Sequence, residues 1–178
     1  MRFLGRFLVK RERAMYTLLS GSPGIPRCYG LLNPHCLAVE YIPGKDCFQF
    51  DTDELPDEFF ERLEAVVRAL HRRGVAHCDL KHRENIVVTR DFRPYLVDLN
   101  TALPRGSPWN LVQRWAFRLF AADDLKALVK IRYYLCPGQV SEADWLRISR
   151  PSPFEWMVRR MRDSLRALLR AVTGRRAI

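Results

Sequence analysis

The 178-residue sequence has no apolar run approaching the roughly 18 residues that a membrane-spanning helix needs, so no transmembrane helix is expected. It has no Cys-x-x-Cys pair. Its five cysteines, Cys28, Cys36, Cys47, Cys78 and Cys136, are odd in number and widely spaced. That argues against a disulfide framework and against a zinc site, leaving reduced, mostly buried thiols as the expectation. Repeats and low-complexity tracts are absent too. The N-terminal apolar stretch, Phe3 to Leu8, is short, and no small-residue cleavage site precedes Lys10-Arg11-Glu12-Arg13. It does not read as a signal peptide, and a cytoplasmic location is expected.

Acidic residues are scarce at the C-terminal end: residues 147–178 hold nine Arg against Glu155 and Asp163 alone, a net +7 out of +10 for the chain. Conversely, Asp46 to Glu64 holds eight acids and one base, Arg62. This segregation is not that of a uniformly basic nucleic-acid-binding surface, so no nucleic-acid partner is expected. With 48% hydrophobic and 28% charged residues, the composition is that of a folding chain of about one domain.

Apolar spacing predicts a helix over residues 6–19, stopped by Gly21-Ser22-Pro23-Gly24. Two β-type runs, Arg27 to Leu32 and Cys36 to Ile42, flank Asn33-Pro34-His35 and read as a hairpin ending at Pro43-Gly44. A second helix runs from about Pro56 to Arg73, with Phe59, Leu63, Val66, Val67 and Leu70 on its apolar face and Gly74 at its end. Val75 to Leu80 opens a loop. A hairpin of Ile86 to Thr89 and Tyr95 to Leu99 follows. Helical spacing returns over Trp109 to Phe120 and Asp123 to Tyr134, is broken at Cys136-Pro137-Gly138, and recurs as an amphipathic helix from Phe154 to Val172. Trp109, Trp115, Phe117 and Phe120 read as core or helix packing rather than as a base-stacking platform, and His35, His71 and His82 as surface or local hydrogen-bonding groups.

The chemistry-bearing segment is His77-Cys78-Asp79-Leu80-Lys81-His82-Arg83-Glu84-Asn85, followed after the hairpin by Val97-Asp98-Leu99-Asn100. Phosphoryl transfer from a magnesium nucleotide needs a carboxylate to orient the attacking hydroxyl and accept its proton, a cation for the transferred phosphate, and oxygen ligands for the metal. Asp79, Lys81, Asn85 and Asp98 supply those groups. The hairpin can bring Asn85 and Asp98 to one end of paired strands, and their oxygen donors suit Mg2+ better than a transition metal.

The segment resembles the protein-kinase-like superfamily, whose catalytic loop reads H-R-D-L-x-x-x-N and whose metal motif is D-F-G. It looks closest to small, atypical bacterial members grouped with RIO-type Ser/Thr kinases and lipopolysaccharide-core (Kdo/heptose) sugar kinases. The resemblance takes in Glu12 on a first helix, Gly24-Ile25-Pro26 before a strand, Glu40-Tyr41-Ile42-Pro43-Gly44 like a hinge, the catalytic loop and the metal hairpin. It implies an α+β, kinase-like fold, with a remnant of the N-terminal lobe over 1–44 and a mainly helical catalytic lobe over 45–178. By the same resemblance Asp79 is the catalytic base, Lys81 neutralises the transferred phosphate, and Asn85 with Asp98 holds Mg2+. The backbone of Glu40, Tyr41 and Ile42 meets the adenine of ATP. His77 steadies the loop, and Asp124, ahead of Asp123, braces it from a helix.

Several departures matter. Asp79 to Asn85 is one position longer than the family spacing, Cys78 replaces the usual Arg, and Leu99-Asn100 replaces Phe-Gly. No A-P-E sequence follows, so control by activation-loop phosphorylation is not expected. Eleven residues precede Glu12, too few for a Gly-rich phosphate loop and its strand lysine, and Lys10 lies on nearly the opposite helix face from Glu12. The chain therefore reads as an N-terminally truncated ATP-dependent phosphotransferase, a Ser/Thr protein kinase by default. A lipopolysaccharide-core sugar kinase is the enzymatic alternative, and a catalytically inactive pseudokinase binding module the alternative from another class. The acceptor is then a protein or a lipid-linked sugar. The basic C-terminal helix reads first as packing its apolar stripe onto the domain with its arginines in water; the alternative, which a lipid-linked acceptor would favour, is a peripheral contact with anionic lipid at the inner face of the cytoplasmic membrane.

Overall fold

The computed structural model describes residues 2–139, together with Leu146 and Arg160. The helix expected over 154–172 lies outside the described residues, apart from Arg160, which is helical and exposed.

Helix α1 (Arg2–Leu18) turns Met15, Tyr16 and the following Leu19 into the core and ends as Ser22 N–H donates to Leu19 O at 2.9 Å. Gly24 then takes φ +71°, and a Cβ there would meet Val66 Cγ2 at 2.5 Å, so both conformation and space select glycine. Strands β1 (Cys28–Asn33) and β2 (Cys36–Val39) form an antiparallel hairpin with two register shifts. Its tip is fastened by His35 N–H donating to Asn33 Oδ1 at 2.8 Å, and its base by Glu40 N–H donating to Arg27 O at 2.7 Å.

Strand β3 (Gly44–Asp46) was not expected from the sequence, because Gly-Lys-Asp has no β-forming side chains. It forms because Gly44 lacks a Cβ, which would stand 2.4 Å from Val88 O, so the backbone can close onto β5 (Ile86–Thr89). With β6 (Pro94–Leu96) it completes a three-stranded antiparallel sheet in the order β3-β5-β6, Ile86 standing opposite Leu96.

Helix α2 (Asp57–Arg72) begins with Asp57 and Glu58 and ends with His71 and Arg72, the charge order that its dipole favours. All five expected apolar positions are buried, joined by Phe60. Val75 and Ala76, expected in a loop, form the short strand β4 (Val75–Ala76), paired antiparallel with β7 (Leu103–Pro104). Helix α3 (Leu111–Leu135) is a single element where two helical stretches were read. The Ala121-Ala122 junction between them offers nothing to break a helix. Asn110 caps it, Oδ1 accepting from Gln113 N–H at 3.0 Å.

The resulting α+β architecture centres on Leu19, Phe59, Leu63, Val67, Leu70, Leu80, Ile86, Leu96 and Leu99, each 1% exposed or less. Two sequence expectations are corrected. All five cysteines are free, but only Cys47 and Cys136 are buried; Cys28 and Cys78 are half-buried and Cys36 is exposed, because the β1–β2 hairpin leaves Cys36 at its tip. Among the four aromatics assigned to packing, Phe117 is buried, whereas Trp109 is 91% and Trp115 53% exposed.

Candidate active site

The loop from His77 to Asn85 hangs between the β4–β7 pair and the start of β5, and one carboxylate holds its upstream end. Asp124 on α3, 2% exposed, accepts the His77 N–H on Oδ2 at 2.8 Å and the Cys78 N–H on Oδ1 at 2.9 Å. Its Oδ2 also meets His71 Nε2 at 3.0 Å. Cys78 sits at φ +71°, a left-handed conformation that a side-chain-bearing residue avoids, and the two bonds to Asp124 hold the amides that lead into that strain. Of the two neighbouring aspartates, Asp124 is thus the one that meets the loop backbone. Asp123 instead meets Lys81, Nζ to Oδ2 at 2.8 Å, and its Oδ1 is buried without a hydrogen-bond partner.

His77 ties this loop to the next one. Its ring is fully buried, with Nε2 at 3.1 Å from Val97 O, so the neutral tautomer donates from Nε2 and leaves Nδ1 without a partner. Burial, the dominant influence, lowers its pKa below the ordinary histidine value despite the acids nearby. Thr101 Oγ1 donates to His77 O at 3.2 Å, adding a second link.

Asn85, 4% exposed, closes the downstream end. Its Nδ2 donates to Asp79 O at 2.8 Å and to Asp79 Oδ2 at 3.3 Å, while its own carbonyl accepts Val97 N–H at 3.0 Å. With one amide nitrogen doubly occupied, the Asn85 Oδ1 is the donor it can offer to a cation. Asp79 Oδ1 is in close contact with His82 Nδ1, so both carboxylate oxygens are oriented, and the carboxylate stays partly open to solvent. Asp98 follows Val97 directly, which places it beside Asn85 at one end of the β5–β6 pair; it is exposed and left-handed, φ +57°, a region aspartate tolerates.

Helix α1 reaches the same place. Burial, followed by the negative charge of Asp98, raises the Glu12 carboxyl above its ordinary range. Burial, then Glu12 and Asp98, push the Tyr16 hydroxyl up as well. Arg11 Nη2 donates to Ala102 O at 2.8 Å, fastening α1 to the segment after Asp98. Burial and the Asp124 charge push the Cys78 thiol up to about 12, so it is no nucleophile at neutral pH.

The structure therefore gathers His77, Asp79, Asn85 and Asp124 into one network, with Asp98 and Glu12 at its edge and Lys81 on Asp123. Glu40, Tyr41 and Ile42 stand apart, on the connection between β2 and β3. The Glu40 carboxylate accepts from Arg27 N–H at 2.9 Å and Tyr41 is 84% exposed. Sequence reading missed three contacts: His71 on Asp124, Asp123 on Lys81, and Thr101 on His77. Contacts across 24 to 53 positions leave no local signal.

Two solved structures share this arrangement of elements. The ADP/Mg2+-phosphoaspartate complex of Rio2 kinase from Chaetomium thermophilum superposes with a TM-score of 0.61 at 16% identity, covering 86% of this chain and 43% of that one. The fold is protein-kinase-like. A second structure of Rio2 kinase from the same organism gives a TM-score of 0.63 at 17% identity, over 86% of this chain and 44% of the other. The chain thus spans less than half the length of the kinases it matches. No protein-family model matches the sequence, and no curated protein matches it.

An amide oxygen on Asn85 and a carboxylate on Asp98 are hard oxygen ligands, and Mg2+ takes one or two protein ligands plus phosphate and water. Among the described residues no group of three or more His, Cys, Asp or Glu could hold a metal ion, so Mg2+ would rest on this pair together with phosphate and water. The residues fit.

Proposed function

We propose that this chain is an atypical protein-kinase-like phosphotransferase that uses MgATP to phosphorylate a hydroxyl group, with a Ser/Thr protein as the default acceptor. The observation that carries the reading is the fixed Asp79: Asn85 holds its carbonyl and one carboxylate oxygen, and the loop it sits on is suspended from Asp124. A carboxylate so oriented, still partly open to solvent, can accept a hydrogen bond from an acceptor hydroxyl and take its proton. Lys81 is two residues on, its side chain 43% exposed and its ammonium beside Asp123, and supplies positive charge for the transferred phosphate.

Asn85 and Asp98 would hold Mg2+, which would supply positive charge to offset that of the nucleotide phosphates. The ADP/Mg2+ complex of Rio2 kinase supports the same cofactors here. The backbone at Glu40, Tyr41 and Ile42 is the proposed adenine contact. Residues 1–44 are the proposed N-terminal-lobe remnant, and 45–178 the catalytic lobe. A cytoplasmic location, with the basic C-terminal stretch at the inner membrane face, and a lipopolysaccharide-core sugar as alternative acceptor complete the proposal.

One observation favours the inactive binding module as a second reading. Burial, then the negative charge of Asp98, raises the Glu12 carboxyl above its ordinary range, whereas a phosphate-binding lysine beside it would lower it. Thermal shift with ATP, with and without Mg2+, separates the two readings, since a ligand of the native state must raise its Tm. The enzyme reading expects an Mg2+-dependent rise that Asp98→Ala abolishes, and turnover that Asp79→Asn lowers by a factor of about 100 or more. No Mg2+-dependent rise in the unaltered chain would support the module.

A further inference from the structure

Helix α3 enters the fold through an apolar surface that nothing among the described residues covers. Trp109 is 91%, Leu111 74%, Val112 77% and Trp115 53% exposed. On a helix, Leu111 and Trp115 lie one turn apart on the same face, Val112 lies beside them, and Trp109 stands just ahead of the first turn. The site network meets α3 at Asp123, Asp124 and, through His71, Phe117, none of them part of this exposed surface.

Its charge is one-sided. From Leu99 to Ala122 the sequence contains Arg105, Arg114 and Arg118 and no acidic residue. Arg114 and Arg118 are a turn apart on one flank of the apolar face, and Arg105 and Arg118 are exposed. Exposed tryptophans flanked by arginines match an anionic lipid interface, where indoles settle at headgroup depth and guanidinium groups meet the phosphates. By sequence, residues 147–178 carry net +7, so like charge opposes their covering this patch.

We infer that Trp109, Leu111, Val112 and Trp115, with Arg114 and Arg118, form a membrane-surface contact that seats the start of α3 on an anionic bilayer. This contact is separate from the basic C-terminal stretch and does not depend on the phosphotransferase reading.

The experiment is flotation of the full chain with phosphatidylcholine vesicles containing or lacking phosphatidylglycerol, at low and high salt. Binding is expected to the anionic vesicles only and to fall with salt. Trp109→Ser/Trp115→Ser is expected to lose most of it while keeping far-UV circular dichroism and Tm, because both side chains are exposed. Arg114→Gln/Arg118→Gln is expected to weaken it about 30-fold, two surface charges at an anionic bilayer being worth about that much. Should the double Trp variant fail to fold, Trp109→Ser alone, at the most exposed position, carries the test. Unchanged flotation of a folded Trp variant would assign binding to the C-terminal arginines and overturn the inference. So would equal binding to neutral vesicles, or a dimer in solution that the Trp variant dissolves.

Discussion

Replacing Asp124 with alanine isolates what holds the catalytic-type loop. The buried carboxylate accepts from His77 N–H, Cys78 N–H and His71 Nε2 at 2.8, 2.9 and 3.0 Å. Asp124→Ala strands two backbone donors where water has little access, at about 1–3 kcal/mol each. It also removes the anchor of a left-handed Cys78. A loss of about 3–5 kcal/mol follows, against a total stability of about 5–15 kcal/mol for an ordinary domain. For a chain of this length that lowers Tm by about 10 °C. Urea denaturation gives the free energy, and amide hydrogen exchange at His77 and Cys78 reports whether the loss is centred there. Asp123→Asn should cost much less, because Lys81 is 43% exposed and its pair is screened. A loss below about 1 kcal/mol for Asp124→Ala, or equal losses for the two aspartates, would refute the argument that Asp124 suspends the loop.

Two titrations give further tests. Burial depresses the His77 pKa, so the unfolded chain binds the extra proton: its stabilisation is complete above the ordinary value of 6.5 and is lost as pH falls toward the folded value. Tm should therefore fall on acidification through that window, and less so in His77→Gln; identical pH profiles would remove His77 from the account. Glu12 has the opposite sign. Its raised pKa means that its contribution is present below the ordinary value of 4.5 and is lost as pH rises through the folded value. Glu12→Gln should thus raise Tm modestly at neutral pH and lose that advantage in acid, and a lower Tm at neutral pH would show that Glu12 is serving a cation.

Local pattern alone located much of the fold. The α2 face of Phe59, Leu63, Val66, Val67 and Leu70 follows from helical spacing, and the β5–β6 hairpin from two β-branched or aromatic runs around a turn, because those signals live within a few residues. Strand β3 and the β4–β7 pair were not legible. They exist through a glycine that lets one backbone approach another and through a two-residue pairing of positions 27 and 29 apart. The exposure of Trp109 and Trp115 was equally hidden, since an aromatic at helical spacing looks the same whether the facing side meets core or solvent.

At the site the division is similar. The sequence by itself determined the inventory, since Asp79, Lys81, Asn85 and Asp98 are the residue types that phosphoryl transfer demands, in a workable order along one loop and one hairpin. Only the tertiary structure decided their surroundings: which of two adjacent aspartates grips the loop, that Lys81 rests on the other, and that Glu12 meets a carboxylate at Asp98. Adjacent residues on a helix point about 100° apart, so Asp123 and Asp124 are nearly indistinguishable as text and face different partners in space.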